Sequence, residues 1–175
     1  MKFVIESVDT MKYKYTYESP LGKMIMLGTL TYLTDLFFED EQYAPFYDSD
    51  EYIEQLTGPF EVTVMWLNQY FKGRKPFIVP PMKLEGTDFR KHVWSILQTI
   101  PYGETTTYGE IGDKIAVAQG KESMSAQAVG GAVGHNPISI IIPCHRVIGK
   151  NGQMTGYAGG IERKVYMLEL ENKSL

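Results

Sequence analysis

Two adjacent prolines, in Val79-Pro80-Pro81-Met82, restrict this chain more than any other feature of its sequence. Proline lacks an amide proton and fixes φ, so the pair continues neither a helix nor a central strand. The residue pattern also changes there. Residues 1–85 combine strand-like alternation with one helical repeat, whereas residues 86–175 read as helices joined by glycines. The expected fold is α+β, with an N-terminal α/β domain over residues 1–82 and a mostly helical C-terminal domain over residues 86–175. A chain of 175 residues, 43% of them hydrophobic, is long enough to bury a substantial core.

In the first half, Tyr13 to Tyr17 alternates, Ser19-Pro20-Leu21-Gly22 is a turn signal, and Lys23 to Leu27 and Leu30 to Phe38 are apolar runs. These predict three short antiparallel strands. Residues 35–61 hold nine acids and no Lys or Arg, which reads as solvated loop and helix face. Val64, Leu67 and Phe71 have helical spacing within Phe60 to Phe71, and Lys72-Gly73-Arg74-Lys75-Pro76 supplies the stop.

In the second half, Thr87 is predicted to cap a helix reaching about Ile100, with Phe89, Val93, Ile96, Leu97 and Ile100 as its stripe. Thr107 and Glu110 form a capping box for the next helix, whose apolar face begins with Ile111 and Ile115. Ser123 or Ser125 opens another, running to about Gly134. Two short helices across a glycine-containing turn are compatible with a helix-turn-helix. Ala126, Ala128, Gly130, Gly131, Ala132 and Gly134 leave the second of them almost without side chains. Glycine inside a helix costs roughly 1 kcal/mol relative to alanine. Either close packing against another helix or close approach of a ligand such as DNA would compensate. A final helix is expected over Ile161 to Glu171, with Val165, Met167 and Leu168 as its core face.

The net charge is -4, unevenly spread. From Gly86 onward nine basic residues face eight acidic ones, so the first 85 residues carry the negative balance. A nucleic-acid surface would have to be local and lie in the second half. No apolar run approaches the roughly 18 residues of a membrane span, and MKFVIESVDT lacks the apolar core of a signal peptide. The single cysteine excludes an internal disulfide and a multi-cysteine zinc site, and fits a reducing, cytoplasmic setting. No metal, cofactor, membrane or protein partner is expected.

Asn136 to Val147 is the segment that carries chemistry. Ile140 to Ile142 is a buried-type run closed by Pro143, and the sole cysteine, Cys144, follows with His145 beside it. A thiolate is a strong nucleophile, and a nearby imidazole is the usual means of taking its proton. A lone cysteine is also commonly an inert core residue; the Pro-Cys-His-Arg context favours chemistry. Gly156-Tyr157-Ala158-Gly159-Gly160 is a flexible hinge whose Tyr157 ring suits stacking on a planar ligand or ordinary packing. Glu171 matters only if geometry links it to His145.

Ile142-Pro143-Cys144-His145-Arg146-Val147 resembles the active-site motif of the O6-alkylguanine-DNA alkyltransferase family, the methylated-DNA–protein-cysteine methyltransferases. The resemblance also takes in Phe89, Val93-Trp94, Ile100 to Tyr108, Ala128 to Ala132, Asn136-Pro137 and Thr155 to Gly160, covering nearly all of residues 86–171 in order. The first half matches only in Ser19 to Gly22 and Leu36 to Glu39. The family likeness implies a ribonuclease-H-like antiparallel sheet followed by a helical domain with a helix-turn-helix. It implies a monomer that binds duplex DNA through the minor groove, flips out an O6-alkylguanine and moves the alkyl group irreversibly to Cys144. O4-alkylthymine is the second substrate it suggests. By the same resemblance His145 takes the thiol proton through a water, Glu171 orients His145, and Asn136 braces the turn. Tyr108 donates a proton to the leaving guanine. Val147, Tyr157, Ala158 and Gly159 hold the base, and Ala126, Gln127, Gly130 and Gly131 meet the DNA. Gln127 stands where the family has an intercalating arginine, and Ala158 where many members have serine. The loop at 119–123 is longer than in short members. Lys121, Lys150, Arg163 and Lys164 are candidate phosphate partners.

Three other readings compete. A lesion-binding protein of the alkyltransferase-like type would lack the acceptor cysteine, which is present here. A Cys/His/Glu thiol hydrolase would turn over repeatedly, because a thioester hydrolyses and a thioether does not. A purely structural DNA-binding protein would leave Cys144 and His145 without a role.

Overall fold

A computed structural model describes residues 10–173. The chain divides into two compact units, Met1–Leu84 and Glu85–Leu175. The first is built on a four-stranded sheet in the order β3-β2-β1-β4, with β1 over Tyr13–Ser19, β2 over Gly22–Gly28, β3 over Leu33–Phe38 and β4 over Ile53–Glu54. The β1–β2 hairpin pairs Tyr13 with Gly28 and Ser19 with Gly22. Its turn is closed by Ser19, whose hydroxyl accepts from the Leu21 amide at 3.1 Å and donates to the Gly22 carbonyl at 2.6 Å. Gly22, at φ 118°, takes a conformation that L side chains rarely adopt.

The three antiparallel strands expected from the sequence are present, with one boundary moved. Leu30 is not in a strand, because Thr29 turns the chain by accepting the Thr31 and Tyr32 amides at 3.1 Å each. The acidic stretch forms no α-helix before residue 58. It makes a loop, a 3-10 turn over Ser49–Glu51, and β4, which pairs parallel with β1. Its aromatic residues decide this course. Tyr47 and Tyr52 pack with Ala44 over Ile25, Leu27 and Phe37, covering one face of the sheet.

Helix α1 (Gly58–Phe71) buries Phe60, Thr63, Trp66, Leu67 and Tyr70. The expected stripe was Val64, Leu67 and Phe71; only Leu67 of these is buried, so the helix is rotated toward its larger aromatic face. Tyr17 donates to Asn68 at 2.7 Å and ties it to β1. The proline segment is not a free tether. Leu33 donates to the Pro81 carbonyl at 2.8 Å and accepts from the Lys83 amide at 3.0 Å, so residues 81–83 are held on the edge of β3.

The second unit holds α2 (Asp88–Leu97), α3 (Tyr108–Gln119), α4 (Ala126–Gly134) and α5 (Ile161–Lys173), with short strands β5 (Thr106–Thr107) and β6 (Val147–Ile148). Thr87 caps α2 by accepting the Arg90 amide at 3.2 Å. The capping box at α3 is formed: Thr107 accepts the Glu110 amide and Glu110 accepts the Thr107 amide. Gly120 ends α3 at φ 65°, and Ser125, not Ser123, opens α4 by accepting the Ala128 amide. Helices α2, α3 and α4 pack together around Val93, Trp94, Leu97, Ile111, Ile115, Val129 and Val133. Trp94 Nε1 donates to the Ala132 carbonyl at 2.9 Å across that core. Parallel pairing of β5 with β6 sets Thr106 beside Val147 and Thr107 beside Ile148. That pairing brings the start of α3 to the segment that follows the cysteine.

Candidate active site

Asn136 shapes the approach to Cys144. Its Oδ1 accepts the Ile138 amide at 3.0 Å and its Nδ2 donates to the Ile142 carbonyl at 2.7 Å, clamping both ends of the bend. Inside the bend the Ile141 amide donates to the Ser139 carbonyl at 2.9 Å across Ile140, whose φ is 71°. A β-branched residue rarely enters that region; complete burial and the Asn136 clamp hold it there. The Cys144 amide then donates back to the Ile142 carbonyl at 2.8 Å. One carbonyl therefore joins the asparagine to the nucleophile's own backbone. Cys144 begins a 3-10 turn, Cys144–Arg146, and is 6% exposed.

His145 is wholly buried, and its Nε2 donates to Glu171 Oε1 at 2.7 Å. A carboxylate oxygen only accepts, so Nε2 carries the proton and Nδ1 is left as the basic nitrogen of the ring. Arg146 grips the same carboxylate. Its Nε lies 2.9 Å from Oε2, its Nη2 3.0 Å from Oε1, and its Nη1 donates to the Ile100 carbonyl at 2.8 Å. The Gly103 amide adds a fourth donor to Glu171 at 3.2 Å. Burial alone would raise the Glu171 pKa. The interactions with His145, then those with Arg146, overcome it and hold the carboxyl at about 2. For His145, burial pushes the pKa below the usual imidazole value; Glu171 opposes that, and the nearby Arg146 and Lys164 cations reinforce it. The site therefore holds a neutral imidazole against an ionised carboxylate.

Tyr108 is the first residue of α3 and is half-buried. Its hydroxyl donates to the carbonyls of Thr155 and Gly156, at 3.2 and 3.1 Å. Burial, then the proximity of Cys144, raises its pKa, so it stays a proton donor at neutral pH. Val147 is buried at the start of β6, and its carbonyl accepts from Lys164 Nζ. A carbonyl has two lone pairs, so a ligand can share it. Tyr157 and Ala158 are half-buried; Gly159 is buried, and its carbonyl accepts from Arg163 at 2.9 Å.

The sequence left the small residues of α4 between two explanations, and the structure separates them by face. Val129, Ala132 and Val133 are buried against the core. Ala126, Gln127 and Gly131 are exposed, and a Cβ added at Gly130 or Gly131 would meet nothing within 4 Å. Packing inside the protein does not explain those two glycines. This strip, on the second of two helices packed across the turn 120–125, is free for an external surface to approach closely.

Two functional side chains escaped sequence reasoning. Arg146 lay inside the motif with no role given to it. Lys164, placed among the candidate phosphate partners, is wholly buried and bonds the Val147 and Thr155 carbonyls. Arg163 is likewise engaged at Gly159, whereas Lys121 and Lys150 are exposed. Of the expected α5 core face Met167 is buried, whereas Val165 and Leu168 are only partly so, and Lys164 and Glu171 complete the buried face. The available signal was spacing, because 164, 167 and 171 share one helix face. Charged residues on a buried face run against the hydrophobic pattern that sequence reading relies on. Among the described residues no group of three or more His, Cys, Asp or Glu stands together as a metal would require.

Comparison with known proteins shows the family to which this fold belongs. Residues 88–173 match the family model for the 6-O-methylguanine DNA methyltransferase DNA binding domain, and residues 11–80 match that for its ribonuclease-like domain. The Methylated-DNA–protein-cysteine methyltransferase of Mycobacterium tuberculosis (strain H37Rv) is 47% identical over 156 residues, covering 89% of this chain and 90% of that protein. The protein of the same name from Haemophilus influenzae is 42% identical over 164 residues, covering 93% and 87%. The crystal structure of Mycobacterium tuberculosis OGT in complex with DNA aligns with a TM-score of 0.80 at 42% identity, covering 93% of this chain and 94% of that one.

Proposed function

The chain belongs to the 6-O-methylguanine DNA methyltransferase family, and from that premise we propose that Cys144 accepts the alkyl group of an O6-alkylguanine in duplex DNA. The observation that carries the reading is the buried relay beside the thiol, His145 Nε2 on Glu171 Oε1 at 2.7 Å. It supports the reading of this imidazole as a neutral base next to the only cysteine.

The reaction is a displacement at carbon. The Cys144 thiol proton goes to His145, through a water, and Glu171 stabilises the imidazolium formed. The Cys144 sulfur attacks the alkyl carbon, an S–C bond forms, and the C–O6 bond breaks. The electron pair passes to the guanine, which takes a proton from the Tyr108 hydroxyl; the imidazolium supplies the proton that restores neutrality. The products are guanine in DNA and an S-alkyl thioether on Cys144. A thioether does not hydrolyse, so each chain acts once.

The alkyl carbon is out of reach inside the stack, so the base has to flip. The open strip of α4, Ala126, Gln127, Gly130 and Gly131, is the surface assigned to the minor groove. Val147, Tyr157, Ala158 and Gly159 are assigned to the flipped base, with O4-alkylthymine as a second substrate. Gln127 brings no cation to fill the space the base leaves, which should weaken flipping. The N-terminal domain is taken as residues 1–82 and the reacting domain as 86–175. The cytoplasm is the compartment assigned, because it keeps a lone reactive thiol reduced. The test is the mass of the intact chain after incubation with duplex containing O6-methylguanine.

A further inference from the structure

Glu171 accepts from two side chains, the neutral imidazole of His145 and the cation of Arg146, and only the first has a role in the reaction described so far. His145 takes 2.7 Å of hydrogen bond to Oε1, but Arg146 takes both oxygens, Oε2 at 2.9 Å from Nε and Oε1 at 3.0 Å from Nη2. All three side chains are buried, and Arg146 is anchored independently by the Ile100 carbonyl and by the Tyr102 ring, whose centroid lies 5.6 Å from its guanidinium carbon. A carboxylate already neutralised by a bidentate guanidinium offers less to an imidazolium than one held by histidine alone. The fixed charge of Arg146 also stands next to the ring.

We propose that Arg146 is a positioning residue that sets the proton affinity of His145 by holding Glu171 in common with it, and so fixes the lowest pH at which His145 can take the Cys144 proton. The inference rests on His145 being the base. The charged groups that act on His145 are Glu171 and Lys164 from α5 and Arg146 from its own turn; Cys144 precedes it in the chain, Tyr108 feels Cys144, and the Tyr102 ring packs on Arg146. Lys164 is held on the Val147 and Thr155 carbonyls, and Tyr108 on Thr155 and Gly156. Arg146 shares the His145 partner directly, through both oxygens of Glu171.

The experiment compares the parent with Arg146→Met and Arg146→Lys. Histidine ring NMR follows the His145 titration, identified by its loss in His145→Gln. Single-turnover transfer at saturating duplex, from pH 5 to 9, follows the reaction, with DNA affinity measured separately. In Arg146→Met the His145 titration and the acid limb of the transfer rate should both move up by about one pH unit, with DNA affinity little changed. Arg146→Lys, which keeps a cation but not the fork, should move both by less. If Arg146→Met does not fold, the Arg146→Lys shift decides alone. An unmoved His145 titration in a folded variant overturns the proposal. A His145 titration that moves while the rate profile does not upholds the influence of Arg146 on the ring and overturns His145 as the base.

Discussion

Lys164 and Glu171 stand two turns apart on one face of α5, and both side chains are completely buried. One holds the Val147 carbonyl just after the reactive turn; the other holds His145 and Arg146 within it. The last helix thus grips the Cys144–Val147 segment with one charge of each sign. Its contribution to the site is electrostatic as much as hydrophobic.

Glu171→Gln should therefore act on stability and chemistry together. It leaves Arg146 as a buried cation without a counterion, a loss of about 3–5 kcal/mol for a broken buried pair. It also removes the anion that stabilises protonated His145, and general-base assistance is typically worth about 10²–10⁴-fold. Thermal melting and single-turnover transfer read the two effects. A variant that melts with the parent would show that the pair holds nothing in place.

Stability should fall in two stages as the solution is acidified. Folded His145 resists the proton that an unfolded histidine accepts below about 6.5, so its contribution is full above that pH and declines below it. Glu171 is held at about 2 against an ordinary 4.5, so its contribution is full above 4.5 and is lost as the pH falls toward 2. Urea midpoints from pH 8 to pH 3 trace both stages. His145→Gln should remove the upper one and leave the lower.

Gly130→Ala and Gly131→Ala should stabilise the protein and weaken its grip on DNA. Neither new methyl group meets anything within 4 Å, and each replacement gains up to about 1 kcal/mol of helix propensity. The same methyls would stand on the strip assigned to the minor groove. Melting temperature and duplex affinity, measured on the same samples, should move in opposite senses. Parallel movement would place the DNA elsewhere.

Gln127→Arg adds a cation to the exposed first turn of α4 and should tighten duplex binding several-fold, more at low salt than at high. Titration of a fluorescent duplex at two salt concentrations checks it. No gain would mean that this helix meets the groove through other residues.

The sequence made the hairpins, the caps at Thr87 and Thr107, and the Cys144–His145 pair legible, and narrowed the next cap to Ser123 or Ser125, because each rests on local chemistry. Ser19 to Gly22 closes a turn from its own side chain, and Thr107 with Glu110 satisfies its own helix end. What stayed hidden depends on distant partners. β4 is two residues of an acidic stretch and exists because Tyr47 and Tyr52 cover the sheet. The left-handed Ile140 lies in what reads as a plain apolar run, and its burial together with the Asn136 clamp accounts for it. The buried roles of Lys164 and Arg146 were masked by their charge, which in isolation points to solvent. Glu171 could be named as an orienter only by family resemblance, since 26 residues separate it from His145.

Cys144 takes the alkyl group and keeps it in the reaction proposed above. Intact-protein mass after incubation with duplex DNA containing O6-methylguanine measures that directly. The chain should gain one methyl group, never more than one, carried by the peptide containing Cys144 and absent in a folded Cys144→Ser variant. An unchanged mass with the duplex still bound, or a methyl group gained by Cys144→Ser, would contradict it.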